Sequence, residues 1–170
     1  MQKELPVRKN IRLKGYDYSQ PGYYFITICV KNRHEMLGSI AVGAAYCRPN
    51  IILSNYGEIV KKWIDKIPDK YPYAKIENSV IMPNHIHMIL SIQSDGRQNA
   101  APTATMGSIM GYYKYQTTKE INIPGFWQSR FHDEIIRNEE AYQNIWRYID
   151  NNPAEWAEDD YFIKESGGKN

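Results

Sequence analysis

The stretch YAKIENSVIMPNHIHMILSI, Tyr73 to Ile92, decides the architecture. Pro83-Asn84 divides it into two extended segments, 73–82 and 85–92, close enough along the chain to form a hairpin. In the second segment apolar residues fill almost every position from His85 to Leu90, the pattern of a strand central in its sheet. His85 and His87 flank Ile86. Alternate residues of a strand project from one face ~7 Å apart, so two imidazoles can converge on one metal ion. A bare His-x-His also describes two histidines that merely share a surface-facing register, and the pair by itself leaves that alternative open.

Upstream, YYFITICV (Tyr23 to Val30) follows the turn signal Gln20-Pro21-Gly22 and is rich in β-branched and aromatic residues, hence a strand. Residues 38–50 are small and irregular, and Ile51 to Leu53 form a short strand. Asn55 with Glu58 resembles a capping box, and the helix that follows carries Ile59, Trp63, Ile64 and Ile67 on one stripe. Its outer face is basic through Lys61, Lys62 and Lys66, and Pro68 stops it.

Downstream, the polar, breaker-rich stretch 93–106 reads as a mobile loop. A second helix begins near Ser108, with Ile109, Met110, Tyr113, Thr117 and Ile121 on its stripe, and Pro124-Gly125 closes it. Phe126 to Arg137 is extended in part. A third helix starts at Asn138 as N-cap, has Glu139 and Glu140 in its first turn, and ends before Pro153. Strands and helices alternating in this way predict an α+β sandwich, with helices on one face of a largely antiparallel sheet and the other face free for a ligand.

The chain has 170 residues, 42% of them hydrophobic, and no apolar run near the ~18 residues a membrane span needs. It reads as a single domain over 1–170, with a basic arm (1–15), the loop 93–106 and an acidic tail (157–170). MQKELPVRKN is too polar for an export signal, so a cytoplasmic location with no membrane partner is expected. Cys29 and Cys47 form no Cys-x-x-Cys pair, and both are expected as reduced thiols. The net charge of +2 hides a division, because residues 1–132 hold 17 Lys/Arg against 9 Asp/Glu and residues 133–170 hold 4 against 10. A basic body suits a polyanion and equally suits an ordinary solvated surface. The 14 tyrosines and 4 tryptophans are flat rings on which unstacked bases could lie, or ordinary core and rim residues.

A tyrosine on the third helix is a candidate nucleophile. On the third helix, Tyr142, Ile145, Trp146 and Ile149 make the buried stripe, which puts Tyr148 at its margin and Asn152 one turn beyond on the same side. That arrangement suits a nucleophile beside a metal ligand, and it also suits a rim tyrosine and a helix-end asparagine. Tyr112, Tyr113 and Tyr115 form a rival cluster on the second helix. Helix geometry does not decide between them.

Four ordered strings, MPNHIHMIL (Met82 to Leu90), FWQSRF (Phe126 to Phe131), IIRN (Ile135 to Asn138) and RYIDNNP (Arg147 to Pro153), resemble the single-tyrosine HUH transposases. The nearest branch is that of the REP-associated tyrosine transposases, and the likeness runs over residues 10–156, including GYYFITICVKNR (Gly22 to Arg33). It implies a ferredoxin-like or RRM-like antiparallel sheet with the histidines on a central strand and the catalytic tyrosine on a helix packed near them. The family's motif histidines fall on His85 and His87, its tyrosine on Tyr148, and its third metal-side residue on Asn152; the Tyr112 cluster then loses its claim. The implied reaction is metal-dependent cleavage and rejoining of single-stranded, hairpin-forming DNA through a 5′-phosphotyrosine, with Mg²⁺ or Mn²⁺ as the cofactor. A metal is needed because a phenol of pKa about 10 is a poor nucleophile at neutral pH and a phosphodiester repels an anion.

For backbone contacts to DNA the candidates are Arg8, Lys9, Arg12 and Lys14 in the arm, Lys114 and Lys119 on the second helix, and Arg130. His132 is a further candidate for the active site, and His34 reads as surface. Two competing functions are a noncatalytic RRM-like nucleic-acid-binding module and a metal-dependent phosphoesterase with water as nucleophile. Monomer and homodimer both stay open.

Overall fold

The computed structural model describes residues 20–41, 49–93 and 105–163. Four strands, β1 (Gly22–Cys29), β4 (Ala74–Ile81), β5 (His85–Ile92) and β6 (His132–Ile136), form an antiparallel sheet in the order β4-β5-β1-β6. Helix α1 (Asn55–Asp65) lies between β1 and β4 in the chain, and α3 (Met106–Ile121) between β5 and β6. This β-α-β-β-α-β order is the ferredoxin-like arrangement, with β5 central as its apolar run requires. Pro83-Asn84 turns the chain between β4 and β5, as expected for the hairpin.

A separate two-stranded sheet, β2 (Gly38–Ala41) with β3 (Asn50–Leu53), is inserted ahead of α1. β2 falls in the stretch expected to be irregular. Its small residues carry little strand propensity, and the pairing of Gly38 with Leu53 and Ile40 with Ile51 supplies what local sequence does not. Gly38 is there because a Cβ would stand 2.4 Å from the Ile52 carbonyl oxygen.

The start of α1 also differs from expectation. Ser54, one residue earlier than Asn55, is the N-cap: its Oγ accepts from the Gly57 N–H at 3.1 Å. Gly57 lets this first turn rest against the preceding chain, since a Cβ would come within 2.1 Å of the Leu37 carbonyl oxygen. The helix ends at Asp65, so Pro68 does not stop it. Pro68 instead occupies the first turn of the short helix α2 (Ile67–Lys70), where its missing N–H would have had no partner. Thr105 caps α3, three residues before the expected start, and Asn138 caps α4 (Glu139–Asn151) with its side chain accepting from Ala141 N–H, as expected.

α1 and α3 cover one face of the sheet. Tyr24, Ile26, Ile28, Ile86, Met88 and Leu90 point into a core shared with Val60, Ile64, Ile109, Met110, Tyr113 and Ile121. Each fully buried aliphatic side chain there contributes about 1.5–3 kcal/mol. The other face is not left open. α4 lies across it, packing Ile149, with Ile145 and Trp146, on Phe25, Ile89 and Ile136. Both faces of β5 are therefore covered, and all eight of its residues are buried.

Candidate functional site

β5 alternates, so the residues between Ile86, Met88 and Leu90 turn toward α4. Antiparallel register sets Cys29 opposite His85, Thr27 opposite His87 and Phe25 opposite Ile89 on that face. The two imidazoles meet, with Nε2 to Nε2 at 2.9 Å, in a site where His85 is 0% and His87 1% exposed. Asn84 orients His85. Its Nδ2 donates to the carbonyls of Arg33 and Tyr161, at 3.1 and 2.8 Å, so the Oδ1 it turns to His85 Nδ1 at 2.8 Å is an acceptor. The proton of neutral His85 thus sits on Nδ1 and Nε2 is a lone pair. Thr27 Oγ1, 2.8 Å from His87 Nδ1, can play the same part for the second ring.

Burial holds both rings neutral. It pushes His85 down to about 3, helped by the Arg33 charge, and sends His87 well below the usual histidine range, helped by His85. Two lone pairs facing each other at 2.9 Å repel unless a proton or a cation lies between them. Two nitrogens held at right angles ~2.1 Å from one ion would be ~3 Å apart, which suits a six-coordinate divalent ion.

α4 brings in the phenol. Tyr148 Oη is 3.2 Å from His87 Nε2, and its ring meets those of His87 and Phe25 edge-on, at centroid distances of 5.1 and 6.0 Å. At 39% exposed it is the open side of an otherwise buried cluster. Desolvation, and then the negative charge of Asp159, raise the phenol to about 12, while the Asn152 carboxamide pulls the other way.

The third ligand atom beside the two histidine nitrogens belongs to a residue that sequence reasoning missed. Asp159 Oδ2 is 4.0 Å from His85 Nε2, and His85, His87 and Asp159 offer three ligand atoms within 4.8 Å of one another. Asn152, expected as the third ligand, donates its Nδ2 to Asp159 Oδ2 at 2.8 Å. Its Oδ1 is buried with no hydrogen-bond partner among the described residues, so it too can face a cation. Two imidazoles, a carboxylate and an unpartnered amide oxygen fit a divalent ion.

Asp159 sits in the segment read as an acidic tail. Part of that segment folds onto the site, where Tyr161 N–H donates to Asp159 Oδ1 at 2.6 Å and the Tyr161 and Trp156 rings lie 4.6 and 5.9 Å from His85. Arg33 fastens it, donating to the Asp160 carbonyl at 3.0 Å with its guanidinium 5.0 Å from the Tyr161 ring. No spacing in the sequence marks this. The available signal was compositional, an aspartate pair and aromatics within a dozen residues of Asn152.

The remaining candidates are scattered. The rival tyrosines are on α3, across the sheet from the histidines, and Tyr113 is fully buried in the core. His132 is exposed at the start of β6, paired with Thr27 on the site's face. Lys114 is half-buried and donates to the carbonyls of Gln128 and Ser129 at 2.6 and 3.2 Å, so its ammonium holds the loop before β6. Lys119, Arg130 and His34 are exposed. Arg8, Lys9, Arg12, Lys14 and Cys47 lie outside the described residues. Cys29 is a free, buried thiol raised to about 11 by desolvation.

Residues 19–152 match the family model described as "Transposase IS200 like". The chain belongs to the IS200-like transposase family. An uncharacterised protein of Haemophilus influenzae is 35% identical over 174 residues, covering 92% of this chain and 93% of that protein. A putative REP-associated tyrosine transposase of the same organism is 22% identical, covering 81% of this chain and 73% of that protein. The fold matches a solved REP-associated tyrosine transposase bound to a REP hairpin, with a TM-score of 0.63 at 23% identity, covering 85% of this chain and 74% of that one. Among the described residues no helix of this IS200-like chain is long and apolar enough to cross a membrane.

Proposed function

We propose that this IS200-like transposase cleaves and rejoins hairpin-forming single-stranded DNA with Tyr148 as nucleophile and a divalent ion, Mg²⁺ or Mn²⁺, held by His85 and His87. The observation that carries the reading is the placement of a partly exposed phenol oxygen 3.2 Å from His87, whose Nε2 faces that of His85 at 2.9 Å. A phenol raised to about 12 is protonated at neutral pH and needs a nearby positive charge to ionise. When bound, the ion supplies that charge and neutralises the phosphate oxygen that faces the site.

The chain's own residues do the rest. Asn84 and Thr27 keep the imidazole lone pairs aimed inward. α4 carries the phenol, and Asn152 favours its ionised form by hydrogen bonding. Tyr148 Oη gives up its proton to solvent and attacks phosphorus, the bond from phosphorus to the 3′ oxygen breaks, and the leaving oxygen takes a proton from solvent to become a 3′-hydroxyl. A 5′-phosphotyrosine remains. Because it preserves the phosphoester, a 3′-hydroxyl of another strand can reverse the step and join DNA without a nucleotide cofactor. The turn bearing Trp156, Asp159 and Tyr161 packs over the histidines, and the Tyr148 side is the one left open to a phosphodiester.

The test is a hairpin-bearing single-stranded oligonucleotide incubated with the full chain and Mn²⁺, then run on a denaturing gel. A covalent adduct that disappears with chelator and in Tyr148→Phe is expected. Binding without any adduct would leave the noncatalytic module, and an undiminished adduct in Tyr148→Phe would reject the assignment of the nucleophile.

A further inference from the structure

A cavity of about 330 Å³ opens on the same face of the sheet as Tyr148, lined by Tyr23, Ile136, Arg137, Asn138, Glu139 and Tyr142. We propose that it receives one unpaired nucleobase of the DNA strand that passes Tyr148. The proposal rests on the nucleic-acid reading above and adds a position-specific base contact to it.

Strand alternation and register place the cavity. Tyr23 stands two residues from Phe25 and four from Thr27 on β1, so all three share the site's face, and Ile136 is its partner on β6. Tyr23 lies ~13 Å from Thr27 along the strand, and Tyr142 ~9 Å from Tyr148 along α4. At the ~3.4 Å per nucleotide of a stacked strand this is at most about four nucleotides, and fewer where the strand is stretched.

The lining fits a base. Tyr23 is 44% exposed, and its ring meets Tyr142 edge-on at 5.2 Å and 71°, which leaves an aromatic wall turned to solvent beside buried Ile136. Arg137 is exposed and has no ion pair or hydrogen bond among the described residues. Asn138 spends its Oδ1 on Ala141 N–H, and Glu139 accepts from Gln143 Nε2 at 2.7 Å through Oε1 alone. The rim therefore keeps donors on Arg137 and Asn138 and an acceptor on Glu139. Base edges carry donors and acceptors side by side, with flat faces that stack on tyrosine or guanidinium. A phosphate would suit the same place poorly: Glu139 and Glu140 fill the first turn of α4 with negative charge that already answers the helix dipole.

The experiment uses the full chain as Tyr148→Phe, which binds without reacting, and a labelled hairpin with unpaired flanks. A single abasic site is walked through each unpaired position and Kd is read. One position within a few nucleotides of the cleavage point is expected to lose about tenfold in affinity, the scale of one lost base–aromatic stack. Adding Tyr142→Ala should cut that penalty below about twofold and leave the others unchanged, while Tyr142→Phe, which keeps the ring, preserves it. Equal penalties at every position, or a penalty indifferent to Tyr142→Ala, overturn the pocket while leaving the transposase reading intact. No binding of the unmodified hairpin by the Tyr148→Phe chain overturns both.

Discussion

The two faces of β5 are built from the same eight residues and do opposite work. Ile86, Met88 and Leu90 turn into a large core under α1 and α3, where shape and apolar area count. His85 and His87, one residue out of step, turn under α4 into a cluster of polar groups held at hydrogen-bond distance. Both faces are fully buried, yet the first is insensitive to pH and metal and the second is made of titratable donors. Burial therefore does not separate structural from functional positions in this strand. The alternation does.

The comparison can be broken most severely at the phenol. Tyr148→Phe should abolish the covalent adduct altogether and leave hairpin affinity and thermal stability close to those of the parent, since a half-exposed hydroxyl is removed and the ring stays. Adjacent positions on β5 come next. Met88→Ala should cost about 2–5 kcal/mol of unfolding free energy, because it leaves a cavity in the core. His87→Ala should instead remove divalent-ion binding, read by calorimetric titration with Mn²⁺. A Met88→Ala protein as stable as the parent, or a His87→Ala protein that binds the ion with unchanged affinity, would erase the contrast.

Asp159 sharpens the polar face. Asp159→Asn should weaken Mn²⁺ binding about 10–100-fold while Asp160→Asn does not, if the carboxylate stands beside the ion. Unaltered affinity would hand the third position to Asn152 Oδ1.

A further difference between the faces is pH. Above about pH 6.5 His85 is neutral folded and unfolded, and contributes no pH dependence. Below it the unfolded chain takes up a proton that the folded chain refuses until about pH 3. Stability should then fall with pH across that window, by up to about 1.4 kcal/mol per unit from this residue, and level off below it. Melting temperature against pH for the parent and His85→Gln is the measurement, and identical slopes would contradict the prediction. The smallest effect is at the cap of α4: Asn138→Ala should cost about 1 kcal/mol, read in a denaturant titration.

Much of the scaffold was legible locally. The apolar run 85–92 gave a central strand, the stripes on 109–121 and 142–149 gave two helices with the right buried faces, and Asn138 gave a helix start. What local pattern missed was settled by partners further along the chain. β2 owes its existence to β3, Ser54 is held at the α1 cap by donating its hydroxyl to the Met36 carbonyl, and α4 covers a face the pattern left open.

From the chain alone came the list of chemically able groups: two histidines one residue apart on a strand, and a tyrosine at the margin of a helix stripe with an asparagine one turn on. Which of them meet, and with what else, was decided by packing. Spacing along a strand or helix constrains neighbours only over a few residues. The 3.2 Å contact between Tyr148 and His87 spans 61 residues, and the carboxylate of Asp159 arrives on a returning turn that no period encodes. Such contacts exist because β5, α4 and that turn bury apolar and aromatic surface against one another, a sum over many residues that no single stretch of sequence contains.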